Sequence, residues 1–155
     1  MTNVSGGAKP AAPWRGFHHV AMMTPDIDST VRFYAEVLGM TVGEVFASSK
    51  KGAGRNCFVY PDPANGNGTM GIHFFEDADA ASTEGSAEPW DRGPGSGAVH
   101  HVAFALANAE EASALRGRLV EAGAWTSEVI EFGDTESLLL RDNNGLMIEA
   151  TWPKP

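Results

Sequence analysis

Phe17-His18-His19-Val20-Ala21-Met22 returns 82 positions later as Val99-His100-His101-Val102-Ala103-Phe104. Each copy alternates in apolar character and is rich in strand-forming residues, so each reads as a β-strand. A repeat on this scale signals a duplicated structural unit, and the neighbouring sequence extends it. A polar breaker follows each strand, then an amphipathic helix: Asp26 to Leu38, with Val31, Tyr34, Val37 and Leu38 on one face, and Ala109 to Ala122, with Ala112, Leu115 and Leu119. Asp26 or Asp28 caps the first helix and Asn108 the second. Both helices stop at glycine, Gly39 and Gly123, as left-handed caps require.

Three strands are expected after each helix: Thr41–Ser48, Arg55–Tyr60 and Thr69–Glu76, then Thr126–Phe132, Ser137–Arg141 and Leu146–Thr151. The loops Pro61–Gly68 and Asp142–Gly145 carry turn chemistry before each last strand. The expected fold is therefore α+β: two tandem βαβββ modules forming a curved mixed sheet around a central cavity. Residues 1–13 read as a flexible leader, 14–76 as the first module, 77–97 as an exposed linker rich in Ala, Ser, Glu, Gly and Pro, and 98–155 as the second module.

The 155 residues suffice for a real core, and 43% hydrophobic with 20% charged residues is ordinary for a globular chain. A formal charge of −9, with no cluster of Lys and Arg, argues against nucleic acid or an anionic membrane as partner. The single cysteine, Cys57, excludes an intrachain disulfide and any thiolate-rich metal site, and its strand-like setting marks it as a core filler. No apolar stretch precedes Pro13, so a cytoplasmic protein is expected.

Strand alternation turns one histidine of each pair toward one sheet face and its neighbour toward the other, so neither pair is expected to act as one cluster, and His18 and His100 are expected to face away from a site. The duplicated first strands each offer a histidine, while the last strands offer His73 and Glu149 at similar places. A carboxylate between Ile148 and Ala150 is costly to bury unless it is paired, hydrogen-bonded or bound to a metal. Imidazole with carboxylate suits Fe(II), Mn(II), Ni(II), Co(II) or Zn(II), and two histidines with one carboxylate leave positions open on the ion. The alternative is a salt-bridged Glu149 with histidines serving only packing.

Several other features read structurally. Glu76, three positions beyond His73, points to the opposite face of a regular strand. Gly52-Ala53-Gly54-Arg55 could cradle an anion, but without a following helix it reads as a turn. Phe46, Phe58, Phe75, Trp125 and Phe132 could line an aromatic pocket or simply pack.

The first histidine strand, Pro25-Asp26, Arg32-Phe33-Tyr34 and Val37-Leu38-Gly39, together with the ending Leu138-Leu139-Leu140-Arg141-Asp142-Asn143-Asn144-Gly145-Leu146-Met147-Ile148-Glu149, resemble the vicinal oxygen chelate superfamily of glyoxalases, bleomycin and fosfomycin resistance proteins, epimerases and extradiol dioxygenases. The resemblance covers nearly the whole chain after Trp14. It implies metal ligation by His19, His101 and Glu149, with His73 at a fourth position where the superfamily often has Glu or Gln. His73 is then either a ligand or an acid–base group; Glu149 is the next candidate for that role.

The runs Phe58–Pro63, Gly68–Glu76 and Gly97–Phe104 look most similar to ring-cleaving dioxygenases that use Fe(II) on hydroquinone- or catechol-like substrates. The implied function is a metal-dependent enzyme on a small substrate chelated through adjacent oxygens, with an extradiol-type dioxygenase favoured. A glyoxalase-like lyase, isomerase or epimerase with a non-redox metal is the alternative. A metal-free drug-binding resistance protein is a third, which retention of all three ligands argues against. A homodimer is expected on general frequency. The site could be built within one chain or across the dimer.

Overall fold

The computed structural model describes residues 17–48, 54–62, 70–80 and 99–155. The expected leader, most of the linker, and parts of the Pro61–Gly68 loop and of the Gly52–Arg55 turn lie outside these residues. The element order is β1 (His19–Thr24), α1 (Ile27–Arg32) continuing into a π-helical turn (Phe33–Val37), β2 (Thr41–Val42), β3 (Phe46–Ala47), β4 (Arg55–Tyr60) and β5 (Gly71–Glu76), then β6 (Val102–Ala105), α2 (Ala109–Glu121), β7 (Ile130–Phe132), β8 (Thr135–Arg141) and β9 (Met147–Pro153). The duplicated unit is thus present. Among the described residues no helix is long and apolar enough to cross a membrane.

Local chemistry accounts for the helix limits. The Asp26 carboxylate accepts from the backbone N–H of Asp28 and Ser29, so Asp26 is the cap, while the Asn108 side chain accepts from the N–H of Glu111. Gly39 and Gly123 take φ of 71° and 68°, the left-handed conformation that a glycine cap supplies. The first helix was expected to stay α-helical to Leu38. Instead it widens at Phe33, with Leu38 N–H donating to Phe33 C=O, and the widened turn carries Tyr34.

The strand after each helix is broken rather than continuous. Val42 pairs with Val59 and Phe46 with Asn56, so Gly43, Glu44 and Val45 stand opposite only Cys57 and Phe58. Thr126 bridges Leu140 and Ile130 pairs with Ser137, so Ser127, Glu128 and Val129 stand opposite only Leu138 and Leu139. One extra residue on one strand is a β-bulge. It falls at the same place in both modules, so the repeat is deeper than the residue identities show.

The first sheet runs β1-β5-β4-β2, with β3 also on β4, and the second runs β6-β9-β8-β7. In each, the first and last strands of the module lie parallel and the remaining pairs are antiparallel. The α+β two-module fold is as the sequence predicts, with one difference. Among the described residues of the single chain the strands form two separate sheets rather than one, and the modules meet through their helices and inner faces. Ile27, Tyr34, Ile72 and Phe74 of the first module share one core with Leu115, Leu119, Leu138, Ile148 and Trp152 of the second. Cys57 is fully buried in it, as expected.

Polar contacts fix how the modules meet. The Tyr34 hydroxyl donates to Asp142 Oδ2 at 2.9 Å, the Asn144 amide bridges Thr24 and Thr30, and Arg118 Nε donates to Val37 C=O at 2.8 Å. Each sheet therefore turns its other face away from the shared core, and among the described residues β1 and β6 each stand at one end of their sheet.

At the start of α1, Glu76 does structural work. Its carboxylate accepts from Arg55 Nε and Nη2 at 2.8 and 2.6 Å and from the Ile27 N–H at 3.2 Å, confirming that it points away from His73. Arg55 also pairs with Asp28, which leaves no guanidinium free for an anion beside Gly54. The Arg55 hydrogen bonds hold the Glu76 carboxyl at about 2, against an ordinary 4.5. A depressed folded-state value means that the stabilisation is complete above pH 4.5 and is lost as pH falls toward 2. Replacing Glu76 by Gln is expected to cost about 1–3 kcal/mol at neutral pH and to flatten the acid branch of stability in that window; urea melts from pH 6 to 2 check it. An unchanged acid branch in the variant would show that Glu76 adds nothing.

Candidate metal centre

On the outer face of the first sheet, parallel pairing sets His19 beside Gly71, Ala21 beside His73 and Met23 beside Phe75, all projecting to the same side. Asn56, Phe58 and Tyr60 of β4 share this face. The His73 ring stacks on Phe58 at 3.8 Å between centroids and leans on Phe75 at 4.1 Å, while His73 Nε2 lies 2.9 Å from Asn56 Oδ1. His19 meets the edges of His73 and Phe58, with ring centroids 5.9 and 5.6 Å away. Burial, and next the charge His19 can carry, push the His73 imidazole below its ordinary 6.5. A neutral imidazole is the form that binds metals.

The second module repeats the arrangement with a carboxylate. Ala103 pairs with Glu149 as Ala21 does with His73, so Glu149 and His73 occupy equivalent positions. His101 Nε2 lies 3.0 Å from Glu149 Oε2, and the Ser137 hydroxyl donates to Glu149 Oε1 at 2.6 Å. His100, His101, Glu149, Phe132, Thr135 and Leu139 line an open cavity of about 250 Å³. Of the five aromatic pocket candidates, Phe58 and Phe75 clamp His73 and Phe132 lines this cavity; Phe46 and Trp125 take no part.

The four residues singled out from sequence thus come together in twos: His19 with His73, and His101 with Glu149. Among the described residues no three His, Cys, Asp or Glu side chains gather as a metal-binding group. Each module thus brings two of the four candidate residues together.

One expectation is corrected. His18 and His100 do not turn away from their neighbours: His18 Nδ1 lies 2.8 Å from His19 Nδ1, and His100 Nδ1 lies 2.8 Å from His101 Nδ1. Alternation fails because His18, His100 and His101 precede the regular strands, which begin at His19 and Val102. Ser137 and Asn56 were missed altogether. Their only sequence signal is polarity inside otherwise apolar strands.

The sequence profile of the Glyoxalase/Bleomycin resistance protein/Dioxygenase superfamily matches residues 16–150. The chain belongs to this superfamily. MhqA of Bacillus subtilis (strain 168), a candidate ring-cleaving dioxygenase by name, is 26% identical over 142 residues, which are 92% of this chain and 41% of MhqA. The chain therefore spans about two fifths of that protein. A glyoxylase/bleomycin resistance protein/dioxygenase domain from Frankia sp. EAN1pec superposes with a TM-score of 0.67 at 22% identity, covering 91% of this chain and 93% of that one. The fosfomycin resistance protein FosX of Listeria monocytogenes, solved with Mn(II) and sulfate, gives 0.61 at 14% identity, covering 91% and 94%. These structural likenesses are likenesses of fold.

Proposed function

We propose that this chain is a divalent-metal enzyme whose metal centre closes across a homodimer, with His19 and His73 from one chain meeting His101 and Glu149 from the other. The observation that carries the reading is the pair of complementary half-sites, each on the outer face of its own sheet beside a strand that, among the described residues, ends that sheet. Joining the β1 edge of one chain to the β6 edge of its partner covers two exposed edges and brings the halves together. A two-fold axis makes two such sites per dimer. His19, His101 and Glu149 form the two-histidine, one-carboxylate set that suits Fe(II), with Mn(II), Ni(II), Co(II) and Zn(II) as alternatives.

Bound there, the ion supplies Lewis-acid chemistry, and iron one-electron chemistry as well, toward a substrate held through two adjacent oxygens. The chain's own residues do the rest. Phe132, Leu139 and Thr135 wall a cavity of about 250 Å³. An engineered cavity of about 150 Å³ accepts benzene, so this wall has room for a substituted ring. His73, held between Phe58 and Phe75, faces the same side as His19 and is either a fourth ligand or the group that moves a proton to and from the substrate. The likeness to MhqA favours oxygen-dependent ring cleavage over isomerisation.

The test is metal content and oxygen uptake. Tag-free protein is expected to carry about one ion per chain, and both His101→Ala and Glu149→Ala should lose at least nine tenths of it, since removing one of few ligands weakens affinity by orders of magnitude. Oxygen uptake with catechols or hydroquinones supports the dioxygenase. Turnover without oxygen would assign the isomerase or lyase instead, and a wild type that takes up no ion would overturn the metal reading.

A further inference from the structure

We propose that His100 and Ser137 are positioning residues that decide which atoms of His101 and Glu149 face the ion, and that His18 and Asn56 do the same for His19 and His73. The inference rests on the metal reading above and adds an atom-level assignment to it.

The argument begins with Glu149. A carboxylate can present either oxygen or both, and nothing in Glu149 itself makes the choice. The Ser137 side chain makes it: buried to 1% exposure, its hydroxyl donates to Oε1 at 2.6 Å, leaving Oε2 as the oxygen turned to His101. Imidazole has the same ambiguity. His101 Nε2 is the nitrogen facing Glu149, so an ion between them would be met by Nε2 and Oε2. An imidazole that gives its Nε2 lone pair to a cation carries its proton on Nδ1, which then needs an acceptor. His100 Nδ1 stands 2.8 Å away. Its own proton then sits on Nε2.

The first module repeats both devices with different residues. His18 stands to His19 as His100 stands to His101. Asn56 lies two residues before Phe58, the direct partner of His73, and Ser137 lies two residues before Leu139, the direct partner of Glu149. Asn56 and Ser137 are therefore equivalent positions, and each ties one heteroatom of the donor on the last strand. Asn56 Oδ1 accepts from His73 Nε2, which turns Nδ1 of His73 into the nitrogen left for an ion or a proton. Residue types differ between the modules while the function of the contact is kept. Incidental surface hydrogen bonds have no reason to recur in this register.

Zn(II) affinity by competition with a chromophoric chelator tests this in the full chain. Ser137→Ala and His100→Leu are expected to weaken Zn(II) roughly 10- to 100-fold, whereas Ser137→Thr and His100→Asn, which keep a hydroxyl and an acceptor, should stay within about threefold of wild type. Long-range proton–nitrogen NMR of the Zn(II)-loaded wild type should show His101 protonated on Nδ1 and metal-shifted at Nε2, and it decides alone if a truncation does not fold. Tight Zn(II) binding by the wild type with equal affinity in both truncations, or ligation through His101 Nδ1, would overturn the inference and leave the metal reading standing. Absence of Zn(II) binding in the wild type would remove both.

Discussion

Mixing two metal-deficient chains, one carrying His19→Ala with His73→Ala and the other His101→Ala with Glu149→Ala, is expected to restore metal binding that neither shows alone. The first chain keeps an intact second half-site, and the second keeps an intact first half-site. If the centre closes between chains, a heterodimer has one site with all four donors and one with none. Random reassortment makes half of the dimers heterodimers, so co-refolded mixtures should regain about a quarter of wild-type metal. A centre closed within one chain regains nothing, because each chain lacks two of its donors whatever it pairs with. Metal analysis after gel filtration, with singly tagged chains to isolate the heterodimer, reads out the difference. Recovery of about one ion per isolated heterodimer supports the shared site; recovery near zero sinks it.

The division of the four candidate residues between two sheets was not legible in the sequence, although their places along the chain's repeated strands were. Periodicity and the repeat placed His19, His73 and Glu149 on strands, as the parallel registers of β1 with β5 and of β6 with β9 have them, whereas His101 lies just before β6 rather than on it. What a repeat cannot tell is which faces of the modules meet. That is decided by contacts far apart in sequence, such as Tyr34 with Asp142 and Arg118 with Val37, and no local pattern announces them. The two bulges escaped notice for a related reason. Thr41–Ser48 and Thr126–Phe132 alternate well enough to read as strands, and an extra residue becomes visible only when partner strands are laid beside them.

The histidine pairs show the opposite error, a general rule applied too far. Alternation separates neighbours only where the backbone is already extended and paired, and three of these four histidines lie before that point. The adjacency dismissed from sequence is the contact on which the orientation of His19 and His101 rests.

Replacing Asp142 by Ala is expected to destabilise the chain by about 3–5 kcal/mol, because it leaves three buried neutral donors unsatisfied at roughly 1–3 kcal/mol each, partly recovered by relaxation. Asp142 is 6% exposed; Oδ2 accepts from the fully buried Tyr34 hydroxyl, and Oδ1 accepts from the backbone N–H groups of Asn144 and Leu146, both at 2.8 Å. Burial pushes the Asp142 carboxyl above its ordinary 3.8 while these donors pull it down. Alanine strands all three donors at once. For a domain of this size the loss lowers Tm by about 10 °C, at 2–4 °C for each kcal/mol. Tyr34→Phe removes one donor and leaves the others satisfied, so it should cost only about 1–2 kcal/mol, and the double variant should cost less than the sum because the two share a hydrogen bond. Calorimetric melts of the three variants decide it, and a change below 1 kcal/mol for Asp142→Ala would refute the assignment. The contact matters beyond stability because apolar faces tolerate sliding and a directed hydrogen bond does not. With Asn144 bridging Thr24 and Thr30 beside it, Asp142 belongs to a polar cluster that ties the two modules together, and the proposed joining of the β1 and β6 edges of two chains rests on that tie.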